Sequence, residues 1–415
     1  MSVRRREWTN SKGETKTSWI VDYVDQTGRR HIKTFARKKD ADAYHAQARV
    51  EVRAGVHTAD SDSKTVQAAA DLWLATCEAA GLEAATLAAY RQHVRLHILP
   101  YLGRGRLSQL STPMIRSFED DLRVGAPAPG EETGKPRSAA MVKRVLRSLG
   151  AIVADAQERG LVARNVVREL RSNRHRGKER RAERRQKGKL RVGVDIPTRE
   201  EIKAIVASFK GRKKPLILTA IFTGLRGSEL RGLRWCDVDF ARRELHVRQR
   251  ADRYRTIGKP KSESGNRTLP FPSLVLNALR EWKLQCPPSA QDLVFPSSNG
   301  NVDYHSNIIK TALWPAQVEA GVTIRALDEK GEPLIGKDGK PIIAAKYSGM
   351  HALRHFYASW CINAKEDGGL GLSPKVVQER LGHSTIMMTL DVYGHLFPRD
   401  DEATQMDAAE RSLLG

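Results

Sequence analysis

The sequence predicts an α+β multidomain chain: a small N-terminal β-sheet with a helix, an all-α bundle, and a mainly helical domain with a small antiparallel sheet. Three observations predict it. At 415 residues the chain exceeds what one hydrophobic core ordinarily serves. The apolar pattern is strand-like near the N-terminus and takes helical spacing farther on. Between two core-forming stretches runs a segment so rich in cations that it can bury almost nothing. The divisions expected are 1–60, a bundle over 64–170, a basic linker over 171–196, the large domain over 197–398 and a tail over 399–415.

In the first division, Thr17 to Tyr23 has strand composition, Asp25-Gln26-Thr27-Gly28 is a turn, and Arg30 to Phe35 is a second strand. A helix from about Lys39 to Arg53 stops at Gly55. In the bundle, Thr112 before Pro113 marks a helix start, and Ser138 caps a long helix. Val142, Val145, Leu146, Leu149, Ile152 and Val153 line its inner face, with Lys143, Arg144 and Arg147 off that stripe. Gly125 to Gly130 is a loop. The linker carries Arg171, Arg174, Arg176, Arg180, Arg181, Arg184 and Arg185, a pattern able to track a phosphate backbone. Thr198-Arg199-Glu200-Glu201 is a capping box that opens the large domain. An apolar helix over 214–225 follows, then a strand over 244–248 and a hairpin over 253–271 turning at Ser264-Gly265-Asn266. Helices are expected around 272–285, 302–319, 348–364, 373–381 and 384–393, with a turn-rich insertion over 322–346.

The formal net charge of +23 calls for a polyanionic partner, nucleic acid before membrane. No run approaches the length of a spanning helix, and the N-terminus has no signal-peptide core. Cys77, Cys236, Cys286 and Cys361 are scattered without a CxxC pair, which excludes a zinc ribbon or disulfide framework and fits a reducing, cytoplasmic setting.

A phosphodiester under attack gains negative charge, and guanidinium forks complement it. Arg226 lies at the end of the apolar helix, with Glu229 one turn on to orient it. His351 and Arg354 share a helical face. His351 and His355 have the i, i+4 spacing of metal ligands but lack a third ligand, so metal is disfavoured and His355 reads as a core-capping histidine. Tyr393, a late tyrosine, is a nucleophile only if its proton has somewhere to go, because a phenol titrates near pH 10. The leaving hydroxyl needs a proton donor, and Lys261 or Lys259 on the hairpin could serve.

The order Thr223-Gly224-Leu225-Arg226, Glu229, a hairpin lysine, His351-x-x-Arg354-His355, Leu381-Gly382-His383 and Tyr393 resembles the tyrosine recombinases, specifically phage-type integrases. The resemblance covers about 197–398; the bundle resembles their core-type DNA-binding domain and 1–60 their arm-type module. It implies that Arg226, His351, Arg354 and His383 hold the scissile phosphate. It makes Tyr393 the nucleophile of a 3′-phosphotyrosine, Lys261 rather than Lys259 the general acid, and Glu229 a support. The insertion at 322–346 departs from the family pattern and leaves the strand path before His351 open. No metal or other cofactor is implied.

The function expected is a site-specific recombinase that integrates or excises a mobile element, such as a viral genome, through a Holliday junction. Its partners would be double-stranded DNA attachment sites, three further copies of itself in a tetramer, and accessory DNA-bending or directionality proteins. A type IB topoisomerase or a non-catalytic DNA-binding regulator are the rival readings. The tail, with Ala403, Met406, Ala409, Leu413 and Leu414 at helical spacing, is open to packing on its own domain or on a neighbour.

Overall fold

The computed structural model describes residues 2–9, 15–55, 57–170, 189–328, 331–336, 338–398 and 402–414. The linker arginines named above, Arg171 to Arg185, lie outside the described residues. Two compact units make up the chain, Met1–Arg176 and Gly177–Gly415.

The first unit opens with a three-stranded antiparallel sheet: β1 (Ser2–Thr9), β2 (Thr15–Val24) and β3 (Arg30–Phe35), in the order β1-β2-β3. The sequence predicts only the last two. β1 reads Ser-Val-Arg-Arg-Arg-Glu-Trp-Thr and is exposed at all but one position, so no alternation announces it. It is held instead by backbone pairing to β2 along its whole length. Helix α1 (Lys38–Arg53) covers the sheet, closing a small core of Val21, Tyr23 and Ala41.

The bundle contains α2 (Val66–Ala79), α3 (Ala84–His93), α4 (Thr112–Val124) and α5 (Ala139–Glu158). Hydroxyls of Thr65, Ser111 and Ser138 accept from backbone N–H groups of the first turns of α2, α4 and α5. The cap of α4 is thus Ser111, one residue ahead of the expected start. Val142, Val145, Leu149, Ile152 and Val153 of α5 are buried with Trp73, Ile98, Ile115 and Phe118, while Lys143, Arg144 and Arg147 are exposed.

The second unit begins with α6 (Arg199–Ser208), where Thr198 and Glu201 close the capping box reciprocally. Then come α7 (Lys214–Thr223) and α8 (Gly227–Gly232). Strands β4 (Val238–Asp239), β5 (Glu244–Val247), β6 (Arg250–Ala251), β7 (Ile257–Gly258) and β8 (Arg267–Pro270) form two small antiparallel sheets, β4-β5-β8 and β6-β7. The expected hairpin is therefore corrected. The tight turn is at 252–256, where the Asp252 carboxylate accepts from the backbone of Tyr254 and Thr256 and Arg255 adopts φ 69°. Ser264-Gly265-Asn266 belongs instead to a helical turn before β8, and β8 pairs with the more distant β5.

Helix α9 (Ser273–Gln285) and a helical stretch over 305–319 pack into the main core with Ile217, Ile221, Leu230, Leu245 and Leu269. The described residues of the insertion form pairings that its turn-rich sequence does not announce. Strands β9 (Thr323–Arg325) and β10 (Ile343–Ala345) pair at its base, and bridges Leu327–Pro333 and Ile335–Pro341 form beyond them. The chain ends with α10 (His351–Ile362), α11 (Pro374–Leu381), α12 (Ile386–Tyr393) and α13 (Glu402–Leu414). Helix α10 joins two cores: Leu353 and Phe356 pack into the main one, and Tyr357, Ala358 and Cys361 into a second that includes Leu381 and Tyr393. The four cysteines are free thiols, and no helix among the described residues is long and apolar enough to cross a membrane.

Candidate active site

The site is assembled where α7, α10 and α11 end or begin. α7 stops at Gly224, whose φ of 62° is left-handed and where a Cβ would lie 2.3 Å from the Tyr357 ring. Only glycine lets the chain turn this close to α10. The turn delivers Arg226 to the start of α8, and Glu229 one turn on receives it twice: the Arg226 backbone N–H donates to Oε2 at 2.9 Å and Nη1 donates to Oε1 at 2.8 Å. Arg226 Nη2 also donates to the Gly382 carbonyl at 3.0 Å.

Glu229 is buried, 3% exposed, and has a second cation that the sequence reading did not name. Arg267 of β8 donates through Nη1 and Nη2 to both Glu229 oxygens, at 3.1 and 2.8 Å, and through Nε to the Arg380 carbonyl at 2.8 Å. A signal was available: Arg267 stands two residues before buried Leu269 in a strand, hence on the inward face. Burial pushes the Glu229 carboxyl up, but the Arg267 hydrogen bonds and the charges of Arg267, Arg226 and Arg354 outweigh it and hold the pKa at about 2.

Arg354 is nearly enclosed. Its Nη1 donates to the Gly224 carbonyl at 2.7 Å and its Nη2 to the Leu381 carbonyl, so one guanidinium ties the ends of α7 and α11 together. Burial and then neighbouring Arg226 lower its pKa to about 9, which leaves it charged at neutral pH. α11 closes at Gly382, φ 61°, where a Cβ would meet Arg267 Nη1 and the Ser264 carbonyl at 2.9 Å. His383 follows that turn, with Nδ1 2.9 Å from Thr389 Oγ1.

Tyr393, the last residue of α12, is 2% exposed. Its ring lies parallel to that of His383, with centroids 6.5 Å apart, and its Oη is 2.7 Å from His355 Nδ1. Burial raises the phenol to about 12, against the lowering pull of Arg354 and Arg226. Burial, then His351 and Arg354, lower His355 to about 4; burial, then Arg354 and Arg226, do the same for His383. Both imidazoles are therefore neutral at neutral pH.

Arg226, Glu229, Arg354, His383 and Tyr393 thus form one connected centre. His351 is exposed at the first turn of α10, its ring 6.0 Å from that of His355. Lys261 and Lys259 are both exposed on the connection after β7, whose far end, Ser264 and Arg267, packs on Gly382. His355, read as a core-capping histidine, is half-buried and meets the hydroxyl of Tyr393, a member of the second core.

Residues 197–399 match the model of the phage integrase family. The chain is 31% identical over 236 residues to the tyrosine recombinase XerC-like protein of Caldanaerobacter subterraneus subsp. tengcongensis, covering 51% of this chain and 53% of that protein. It spans about half the length of that curated relative. In fold it is similar to the Tn1549 transposon integrase solved with transposon right end DNA, with a TM-score of 0.58, 18% identity and coverage of 84% of this chain and 100% of that one. It is also similar to a lambda integrase tetramer bound to a Holliday junction, with a TM-score of 0.50, 16% identity and coverage of 91% and 95%.

Proposed function

Because residues 197–399 match the model of the phage integrase family, we propose that the chain is a site-specific DNA recombinase that cuts and rejoins DNA through Tyr393. The observation that carries the proposal is the charge balance around this buried tyrosine. Three guanidinium groups, Arg226, Arg267 and Arg354, face one carboxylate, Glu229, beside neutral histidines. The excess positive charge suits a phosphodiester that becomes more negative in the transition state. The contacts fixing Arg226 and Arg354 use a minority of the five N–H donors of each, so donors remain for phosphate oxygens.

In this reading Arg226, His351, Arg354 and His383 bind the scissile phosphate. Glu229 and Arg267 set the Arg226 fork. Tyr393 Oη attacks phosphorus, the P–O5′ bond breaks, and Lys261 protonates the leaving 5′ oxygen. The 3′-phosphotyrosine keeps the bond energy, so a 5′ hydroxyl from the exchanged strand can reseal the backbone without ATP. Positioning and fixed charge do the work, and no step calls for a metal. Attachment-site DNA is the substrate, bound by four copies that exchange strands through a Holliday junction. The N-terminal sheet takes arm-type sites, the exposed Lys143, Arg144 and Arg147 face of α5 takes the core site, and the basic linker tracks phosphates between them.

A core-site oligonucleotide nicked near the cleavage position tests this. The full chain should accumulate a covalent adduct and release a 5′ hydroxyl that a kinase can label. Tyr393→Phe should give neither. An unchanged adduct in that variant, or a labelled 3′ end in place of the 5′ end, overturns the assignment.

A further inference from the structure

The centre leaves one reacting-atom contact without a role. Tyr393 Oη, the atom that would attack phosphorus, has His355 Nδ1 at 2.7 Å, and the two rings lie 5.8 Å apart, tilted by 58°. The other groups near Tyr393 are engaged elsewhere. His383 turns its face to the phenol while its Nδ1 is bonded to Thr389, and Arg354 is bound to two backbone carbonyls. His355 is fixed by its position, since the next residue along α10 from Arg354 cannot shift without moving that enclosed guanidinium.

We infer that His355 is a catalytic residue acting at Tyr393 Oη: it accepts the phenolic proton during cleavage and returns it during rejoining. The inference rests on Tyr393 being the nucleophile. In cleavage, the Oη–H proton passes to Nδ1, the Oη–P bond forms, the P–O5′ bond breaks, and the 5′ oxygen takes a proton from Lys261. In rejoining, the 5′ hydroxyl gives its proton to Lys261 and attacks phosphorus, the Oη–P bond breaks, and Oη regains its proton from His355. Protons and bonds balance over the cycle, and no other reactant is needed.

The surroundings explain why this transfer belongs to the DNA-bound state. Burial first, then His351 and Arg354 on the same helix, oppose charge on His355, while Asp195 from the segment before α6 favours it. Without DNA, burial and the nearby guanidiniums prevail, the imidazole stays neutral and the phenol keeps its proton. A phosphodiester bound between Arg226 and Arg354 offsets those cations and makes Nδ1 a better acceptor. The nucleophile is thereby held unreactive until substrate is in place.

The experiment measures single-turnover adduct formation by the full chain on the nicked core-site oligonucleotide, for wild type, Tyr393→Phe, His355→Asn and His355→Ala. His355→Asn can still accept a hydrogen bond but cannot take a proton. It should slow adduct formation by roughly 10²–10⁴-fold, the usual worth of a positioned acid–base group, with site affinity within a few-fold of wild type. His355→Ala should be equally slow and should recover when imidazole is added, in proportion to its free-base fraction. A His355→Asn rate within a few-fold of wild type overturns the inference, as does a slow His355→Ala that imidazole cannot speed. If Tyr393→Phe forms the adduct as wild type does, the nucleophile assignment fails and this inference with it. If Tyr393→Phe is inert while His355→Asn is fast, only the role of His355 fails.

Discussion

Among the described residues two buried tyrosines meet a histidine through their hydroxyls, one in each unit, and they differ in everything but the pair. In the N-terminal module, Tyr23 Oη is 2.8 Å from His57 Nε2; in the second unit, Tyr393 Oη is 2.7 Å from His355 Nδ1. Both tyrosines are 2% exposed. Around Tyr23 the neighbours are Tyr44, hydroxyl to hydroxyl at 2.9 Å, and Glu51, which takes the other nitrogen of His57 at 2.8 Å. After burial and the Tyr44 hydrogen bond, the remaining influences on Tyr23 are Asp60, Asp25 and Glu51, all of which hold the phenol protonated. Around Tyr393 they are Arg354 and Arg226, which favour the phenolate. A tyrosine bonded to histidine is thus a staple among carboxylates and a candidate nucleophile among guanidiniums. Charge in the surroundings, not the pair, makes the difference.

The comparison breaks most sharply on the hydroxyls. Tyr393→Phe should abolish covalent adduct formation, whereas Tyr23→Phe should leave it at the wild-type rate per folded molecule on a core site. Next comes the cation that marks the second pair. Arg354→Ala should cost at least about 10²–10³-fold in single-turnover cleavage, the worth of one preorganised donor, with core-site binding reduced only modestly. Parallel loss of both in a gel-shift and cleavage series would favour a DNA-binding regulator over an enzyme.

A third prediction concerns the carboxylate beneath the arginines. Glu229 titrates at about 2 when folded against an ordinary value of 4.5. A depressed carboxyl stabilises the fold above its unfolded pKa, and this contribution is lost as pH falls from about 4.5 through about 2. It amounts to about 3 kcal/mol by linkage. Denaturant unfolding of the second unit should lose that increment between pH 5 and pH 2, and Glu229→Gln should flatten the slope there. The smallest effect belongs to the quiet pair. Tyr23→Phe removes the hydroxyl that meets both His57 Nε2 and the Tyr44 hydroxyl and should cost about 1–3 kcal/mol in the N-terminal module, read as a lower melting temperature.

The same contrast accounts for what could be read from sequence. The caps at Ser138 and Thr198, and the stripe from Val142 to Val153, are local signals, and local hydrogen bonding and periodicity produce what they announce. Arg226, Arg354 and Tyr393 could be singled out because a phosphate site needs cations and a nucleophile whatever the fold, whereas His383 entered only through the family resemblance. The partner of Arg267 was not legible: its place two residues before Leu269 marks an inward strand face, but only the pairing of β8 with β5 brings it to Glu229. Nor was the turn at 252–256, because an arginine at φ 69° gives no glycine signal. β1 was missed because an exposed strand has no buried face to pattern.

The insertion before α10 has its own consequence. Its two ends meet: the Lys346 N–H donates to the Val322 carbonyl, and Ala345 pairs with Thr323 in the ladder above them. Just beyond, Tyr347 is fixed by Glu201 and Gln317, so the path into His351 is set by the domain and not by the excursion. Residues 326–342 are in this sense a removable module on a closed stem. Because loop-closure entropy changes only slowly with length, the segment could be shortened to a turn, or exchanged for a reporter or affinity sequence, while His351 keeps its place.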